Sequence, residues 1–186
     1  MSRGEQQTGD DEVLARAVVL RQLTMAPRSR AQLAAKLAGR GVSDDVALRV
    51  LDRFEQVGLV DDAAFAQGWV RSRQTGAGLG RRALAYELRA KGVDEQVVEQ
   101  ALESVDDDVQ RRTARQLVAR RIQSMRGLAR DKQVSRLSGL LARKGYGTAL
   151  TIEVVREALA CDDPRDDPCG AACDEAGDDA CDDVSG

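Results

Sequence analysis

The sequence predicts an all-α protein of three tandem three-helix repeats, arranged as an elongated, curved array and followed by a disordered acidic C-terminal tail. Three observations support this fold class. A frame of leucine, basic and glycine positions occurs three times, and the first 160 residues are rich in helix formers without any alternation of period two. Charge also divides sharply between the body of the chain and its C-terminus.

The frame consists of two leucines four residues apart, a basic residue and a glycine. Its three copies are Leu33-x3-Leu37-x2-Arg40-Gly41, Leu84-x3-Leu88-x2-Lys91-Gly92 and Leu137-x3-Leu141-x2-Lys144-Gly145. Leucines at this spacing lie on one helix face, and a basic residue suits the negative end of the helix dipole. Glycine readily adopts the left-handed backbone that ends many helices. Each frame therefore predicts the second helix of a three-helix unit, with a third helix after it.

A longer helix is expected before each frame. Apolar residues at helical spacing predict these helices over residues 11–25, 61–75 and 106–125. Acidic residues at 61–62 and 106–108 suit the positive end of the second and third of them, and Ser29 with Gln32 fits a capping box at the start of the helix after residue 25.

The elements together predict five segments along the chain. They are a flexible N-terminus at residues 1–10, three-helix repeats at residues 11–57, 58–105 and 106–160, and a disordered, cysteine-containing acidic tail at residues 161–186.

Acidic residues and cysteines are concentrated at the C-terminus. The whole chain has 28 Lys and Arg against 31 Asp and Glu, a formal net charge of -3. Residues 161–186 hold ten acidic side chains, one basic side chain and all four cysteines, so the tail carries -9 and residues 1–160 carry +6. The tail has almost no large apolar residue and cannot offset the entropy cost of ordering. We expect reduced thiols there and no metal site.

Composition excludes several classes of function. The chain has no histidine, which removes Ser-His-Asp and Cys-His catalysis and every zinc site with a histidine ligand. No run of 18 apolar residues is present, and the first 12 residues are polar and do not resemble a signal peptide. We therefore expect a cytoplasmic protein that needs no cofactor. The few aromatic residues are scattered, and Trp69, four residues after Phe65, is expected to pack in the core.

Basic side chains are the candidate binding residues. Arg71 and Arg73 stand near the end of one predicted helix, and Arg81 and Arg82 begin the next, across a loop with three glycines. Such a cluster can face nucleic acid or another anionic surface. It can also be a solvated helix face paired with acids, and the pattern leaves both interpretations open.

Residues 33–54 also resemble a helix-turn-helix, which makes a DNA-binding regulator the alternative function. Helices that read bases usually present Arg, Asn or Gln early. Here Asp44 and Asp45 open the possible recognition helix, and their carboxylates would repel phosphate.

Several runs resemble the RecX family of recombination regulators. The central run is Gly80-Arg81-Arg82-Ala83-Leu84-Ala85-Tyr86-Glu87-Leu88-Arg89-Ala90-Lys91-Gly92-Val93, and the run before it is Gly58-Leu59-Val60-Asp61-Asp62-x2-Phe65-Ala66. The opening Pro27-Arg28-Ser29-Arg30 and the closing Lys144-Gly145-Tyr146 also match that family's pattern. The resemblance covers residues 12–160 and includes all three repeats in order.

The resemblance implies a regulator rather than an enzyme. Proteins of this family bind the RecA recombinase filament, lie along its groove and restrain strand exchange and ATP hydrolysis. The expected partner is thus the RecA filament, with weak non-specific DNA contact, no membrane and a monomeric protein. Arg71, Arg73, Arg81, Arg82 and Lys91 match the second-repeat signature as candidate contact residues. Lys144 matches the third repeat, whereas Arg120 and Arg121 are candidates on charge density alone.

Overall fold

The computed structural model describes residues 3–125 and 127–161, and these residues form α-helices and one short 3-10 helix without any β-strand. The helices are α1 (Arg3–Met25), α2 (Arg30–Ala38), α3 (Asp44–Gln56), α4 (Asp62–Ala77), α5 (Arg81–Ala90), α6 (Glu95–Leu102), α7 (Asp107–Ile122), α8 (Arg130–Arg143) and α9 (Thr148–Cys161), and the 3-10 helix (Gln123–Met125) extends α7. The all-α class is confirmed. The predicted tail lies outside the described residues from position 162 onward.

The helices pack in consecutive threes, each around its own hydrophobic cluster. We call these groups unit 1 (α1–α3), unit 2 (α4–α6) and unit 3 (α7–α9). Extensive helix packing occurs within each group of three helices and not between groups. Every leucine of the repeated frame is at most 1% exposed, as its spacing predicts. The unit boundaries expected at residues 57–58 and 105–106 stay predictions.

Helix ends follow the local signals in the sequence. The capping box is present: Ser29 Oγ accepts from the backbone N–H of Gln32, and Gln32 Oε1 accepts from the backbone N–H of Ser29, each at 3.2 Å. Asp61 caps α4 and Asp106 caps α7, so both acidic junctions are confirmed. One difference is α1, which begins at Arg3 although the first helix was predicted over residues 11–25. The flexibility expected of residues 1–10 stays a prediction. In the sequence of the first turns of α1 no apolar residues recur at helical spacing, so periodicity could not predict this part of the helix. These turns nevertheless contain residues with high helix propensity.

Units 1 and 2 meet where the N-terminus of α2 contacts the C-terminus of α5. The hydroxyl of Ser29 donates a hydrogen bond of 2.6 Å to the carbonyl oxygen of Lys91. Gly92 follows with φ of 74°, and a Cβ placed on it would collide with the methyl group of Ala31. The end of α5 therefore needs glycine both for its backbone conformation and for the close approach of α2.

Units 2 and 3 meet in the same way. The backbone N–H of Gly80, which precedes α5, donates to the carbonyl oxygen of Lys144 at 2.8 Å. Gly145 has φ of 85°, and a Cβ on it would lie 2.6 Å from Cβ of Ala83. Gly80 and Lys144 occupy the repeat positions that Ser29 and Lys91 occupy at the first contact. We call each of these two contacts a joint.

The joints place α8, α5 and α2 end to end. At each joint the positive N-terminal end of one helix faces the negative C-terminal end of the next, which is electrostatically favourable. The bonds also satisfy N–H and C=O groups that helix ends leave without intrahelical partners. The units therefore follow one another as a tandem array, and its curvature stays a prediction.

Two side chains of unit 3 strengthen the second joint. The hydroxyl of Tyr146 donates to the carbonyl oxygen of Gly78 at 3.0 Å, and the ammonium of Lys144 donates to the carbonyl oxygen of Ala77. Burial raises the pKa of the Tyr146 phenol to about 12.

Replacing Gly92 with alanine should destabilise the protein more than the same change at Gly41. Both glycines have left-handed backbones, with φ of 74° and 78°, which cost an alanine about 1 to 2 kcal/mol. No described atom lies within 4 Å of a Cβ on Gly41, whereas one on Gly92 meets Ala31 and adds about 1 to 3 kcal/mol of overpacking. Urea unfolding measures both losses, and equal losses in the two variants would contradict the role of Gly92 in the joint.

Alkaline pH should weaken the protein through Tyr146. Its folded pKa of about 12 exceeds the usual value near 10 in the unfolded chain, so its contribution is complete below pH 10 and is lost as the pH rises towards 12. At pH 11 the loss should be about 1 kcal/mol. Tyr146→Phe should show a shallower decline in unfolding free energy from pH 9 to 11. Tyr86→Phe, on an exposed ring, is the control and should keep the wild-type decline.

Candidate partner-binding surface

Arg73 and Lys91 meet at the indole ring of Trp69. The guanidinium carbon of Arg73 lies 4.5 Å from the ring centroid, and the ammonium nitrogen of Lys91 lies 3.9 Å from it. Glu87 Oε2 accepts from Trp69 Nε1 at 2.8 Å and from Arg73 Nε at 3.1 Å. Cation–π contacts of this kind contribute about 0.5 to 1 kcal/mol at partly exposed sites. Both cations therefore help to hold α4 against α5 inside unit 2.

Arg81 and Arg82 lie exposed in the first turn of α5 at the second joint. Neither forms an ion pair with any side chain that the structure describes. They line a groove of about 350 Å³ together with Arg111 and Glu153. The backbone N–H groups of Gly80 and Arg82 already donate to carbonyl oxygens at the end of α8. The positive charge offered here is therefore that of the guanidinium groups and not of an open helix N-terminus.

Three further candidates are also exposed and lie apart from this pair. Arg71 borders a groove between α4 and α6, and Arg120 and Arg121 stand in the last turn of α7. Within the described residues none of the three takes part in an ion pair. Lys144, the remaining candidate, is occupied in the second joint. The structure therefore groups Arg73 with Lys91 and Arg81 with Arg82, but it does not bring all eight residues into one cluster.

Other arginines of unit 3 are paired with acidic side chains. This is the arrangement expected if basic residues belong to a solvated helix face and not to a binding surface. Arg111 Nε donates to Glu153 and Arg115 Nε donates to Glu157, each at 2.8 Å across α7 and α9. The hydrogen bond to Glu153 raises the pKa of Arg111, and the hydrogen bond from Arg115 lowers the pKa of the Glu157 carboxyl. These exposed pairs add little stability, yet they neutralise both arginines locally.

Sequence reasoning missed a groove at the first joint. Trp69 stacks on Phe65 as predicted, with ring centroids 6.0 Å apart and an interplanar angle of 26°. However, Trp69 is only half-buried, and it lines a groove of about 530 Å³ between the α1–α2 connection and α4. Only the assembled units create this groove, because its two walls are far apart in sequence.

The helix-turn-helix segment has acidic side chains where DNA would approach. α3 begins at Asp44, and Asp44 and Asp45 are both exposed in its first turn. In the part of the chain that the structure describes, no helix is long and apolar enough to cross a membrane, and no three metal-binding side chains cluster.

Family models match both of the first two units. The model of the first three-helix domain of RecX matches residues 15–54, and that of the second three-helix domain matches residues 61–102. Among curated relatives, regulatory protein RecX of Streptomyces coelicolor is 52% identical over 145 residues, which cover 78% of this chain and 77% of that protein. Regulatory protein RecX of Thermobifida fusca is 51% identical over 148 residues, covering 80% of each chain.

Solved structures share the fold. A crystal structure of RecX from Lactobacillus salivarius has a TM-score of 0.75 at 19% identity and covers 82% of this chain and 99% of its own. A second crystal structure of a regulatory protein RecX has a TM-score of 0.72 at 22% identity. At these identities the structures support the fold alone. Together with relatives that share about half of their residues over more than three quarters of the chain, they show that this protein belongs to the RecX family of regulatory proteins.

Proposed function

We propose that this protein binds the filament that the RecA recombinase forms on DNA and slows its strand exchange and ATP hydrolysis, thereby modulating recombination and DNA repair. The observation that carries the proposal is the repeated joint, which places homologous units one after another. A filament presents the same subunit surface at regular intervals. An array of related units suits such a target better than a single compact unit does.

Exposed arginines supply the second support. Arg71, Arg81, Arg82, Arg120 and Arg121 have no acidic partner among the described residues. Their guanidinium groups can pair with carboxylates of a protein filament or with phosphates of its DNA. Contacts to phosphate would be independent of base sequence and weakened by salt, which fits weak non-specific DNA contact.

The proposed inhibition needs only binding. The chain lacks histidine, so no imidazole is available as a general base. Occupying the surface of a filament is enough to hinder the movements of its subunits. The strength of inhibition should therefore follow binding affinity in every variant.

The direct test is RecA ATP hydrolysis on single-stranded DNA. Adding this protein at a substoichiometric ratio to RecA should slow hydrolysis, and the same preparation should inhibit strand exchange. An unchanged rate at equimolar protein would contradict the proposal. A gel shift on duplex DNA at several salt concentrations tests the helix-turn-helix alternative, which requires a preferred sequence that survives moderate salt.

Reversing two exposed charges should weaken inhibition without unfolding the protein. Arg81→Glu with Arg82→Glu should raise the concentration for half-inhibition of RecA about tenfold at low salt, because close like charges replace favourable pairs. The difference should shrink at high salt, since exposed charges are screened. Arg21→Glu with Arg49→Glu changes two exposed arginines of unit 1 by the same charge and should have a smaller effect. Equal effects of the two double variants would indicate net charge alone.

A further inference from the structure

The groove at the first joint has walls from two units. It measures about 530 Å³, which is enough room for more than one side chain. Its lining includes Leu23, Pro27, Arg28, Leu59, Gly68 and Trp69. Leu59 is 54% exposed although it is large and apolar. An exposed leucine next to a half-buried tryptophan, in a concave site, is typical of a protein-binding surface.

Gly68 is a glycine that the fold itself does not need. It lies in the interior of α4, where alanine is the more favourable residue. Its φ is not positive, and no described atom lies within 4 Å of the position that a Cβ would take. A glycine in such a place lets the backbone of another molecule approach closely. Its position on the groove wall points to an occupant from outside the described chain.

Arg28 places a guanidinium group in the lining of the same groove. Its Nε is buried and has no hydrogen-bond acceptor among the described residues. A buried donor on a charged group is destabilising until it finds an acceptor. A carboxylate that enters the groove is the favoured partner of the guanidinium group, because it pairs with guanidinium by charge as well as by hydrogen bonding.

We propose that this groove holds a segment of the partner protein in which a large apolar side chain stands close to a carboxylate. The apolar side chain fits between Leu59 and Trp69, the segment's backbone passes over Gly68, and the carboxylate pairs with the guanidinium group of Arg28. The inference rests on the proposed function, in that the segment belongs to a RecA subunit of the filament. It assigns a second kind of contact to the array, since the groove selects for shape and apolar surface whereas the exposed arginines act through charge.

Gly68→Ala separates stability from binding. The added methyl group should raise the thermal midpoint by about 2 to 4 °C, because alanine favours helix. It should also weaken binding to RecA filaments on single-stranded DNA about tenfold, because it blocks the close approach. Gly76→Ala is the matched control: it lies in the same helix, has no described atom within 4 Å of its Cβ position and does not line the groove. It should leave binding unchanged.

Arg28→Met tests the carboxylate contact. Methionine keeps an unbranched apolar side chain but removes the buried donor, so the thermal midpoint should stay the same or rise. Affinity for the filament should nevertheless fall about tenfold. Arg49→Met, at an exposed position outside the groove, is the control and should bind like the wild type.

The outcomes distinguish this inference from the proposed function. Wild-type binding of RecA filaments by both Gly68→Ala and Arg28→Met would overturn the groove assignment and leave the proposed function standing. If the wild-type protein itself neither binds nor inhibits RecA filaments, the proposed function is wrong and the groove assignment is wrong with it.

Discussion

The contact between the N-terminus of one second helix and the glycine-ended C-terminus of the next determines how the units of this protein are placed. Each unit has its own small hydrophobic cluster, and extensive packing does not cross from one cluster to another. The joints therefore supply much of the contact that positions one unit against the next. At the first joint the buried hydroxyl of Ser29 makes two hydrogen bonds: it accepts from the backbone N–H of Gln32 and donates to the carbonyl oxygen of Lys91. Helix capping and unit docking thus depend on one oxygen atom.

The two joints share geometry but differ in chemistry. A side-chain hydroxyl makes the bond at the first joint, whereas the backbone N–H of Gly80 makes it at the second. The neighbouring grooves differ as well: one is apolar with the buried Nε of Arg28, and the other exposes Arg81 and Arg82. Exposed charge accelerates encounter with a partner, while a shaped apolar groove contributes more to residence time. A repeated fold can therefore present two kinds of contact without a new domain.

The local signals in the sequence predicted the helices well and the candidate site less completely. The frame leucines are buried, the three frame glycines have positive φ, and acids cap α4 and α7, because each depends on a short stretch of chain. The density of basic residues along the sequence identified the candidate arginines, but it could not show which arginines are paired with acids and which are not. Whether an arginine meets an acid depends on a distant helix, as the pairs of Arg111 with Glu153 and Arg115 with Glu157 illustrate.

The sequence by itself determined the all-α class, the threefold repeat and the family. Helix periodicity, capping residues and the repeated frame are local signals, so they can be recognised directly in the amino-acid sequence. Only the tertiary structure decided that Lys91 and Lys144 present their carbonyl oxygens to the preceding unit, and that Trp69, which packs against the core of unit 2, also borders a groove. The reason is physical. A joint or a groove forms between surfaces some 30 to 70 residues apart along the chain, and its chemistry comes into existence only when those surfaces meet.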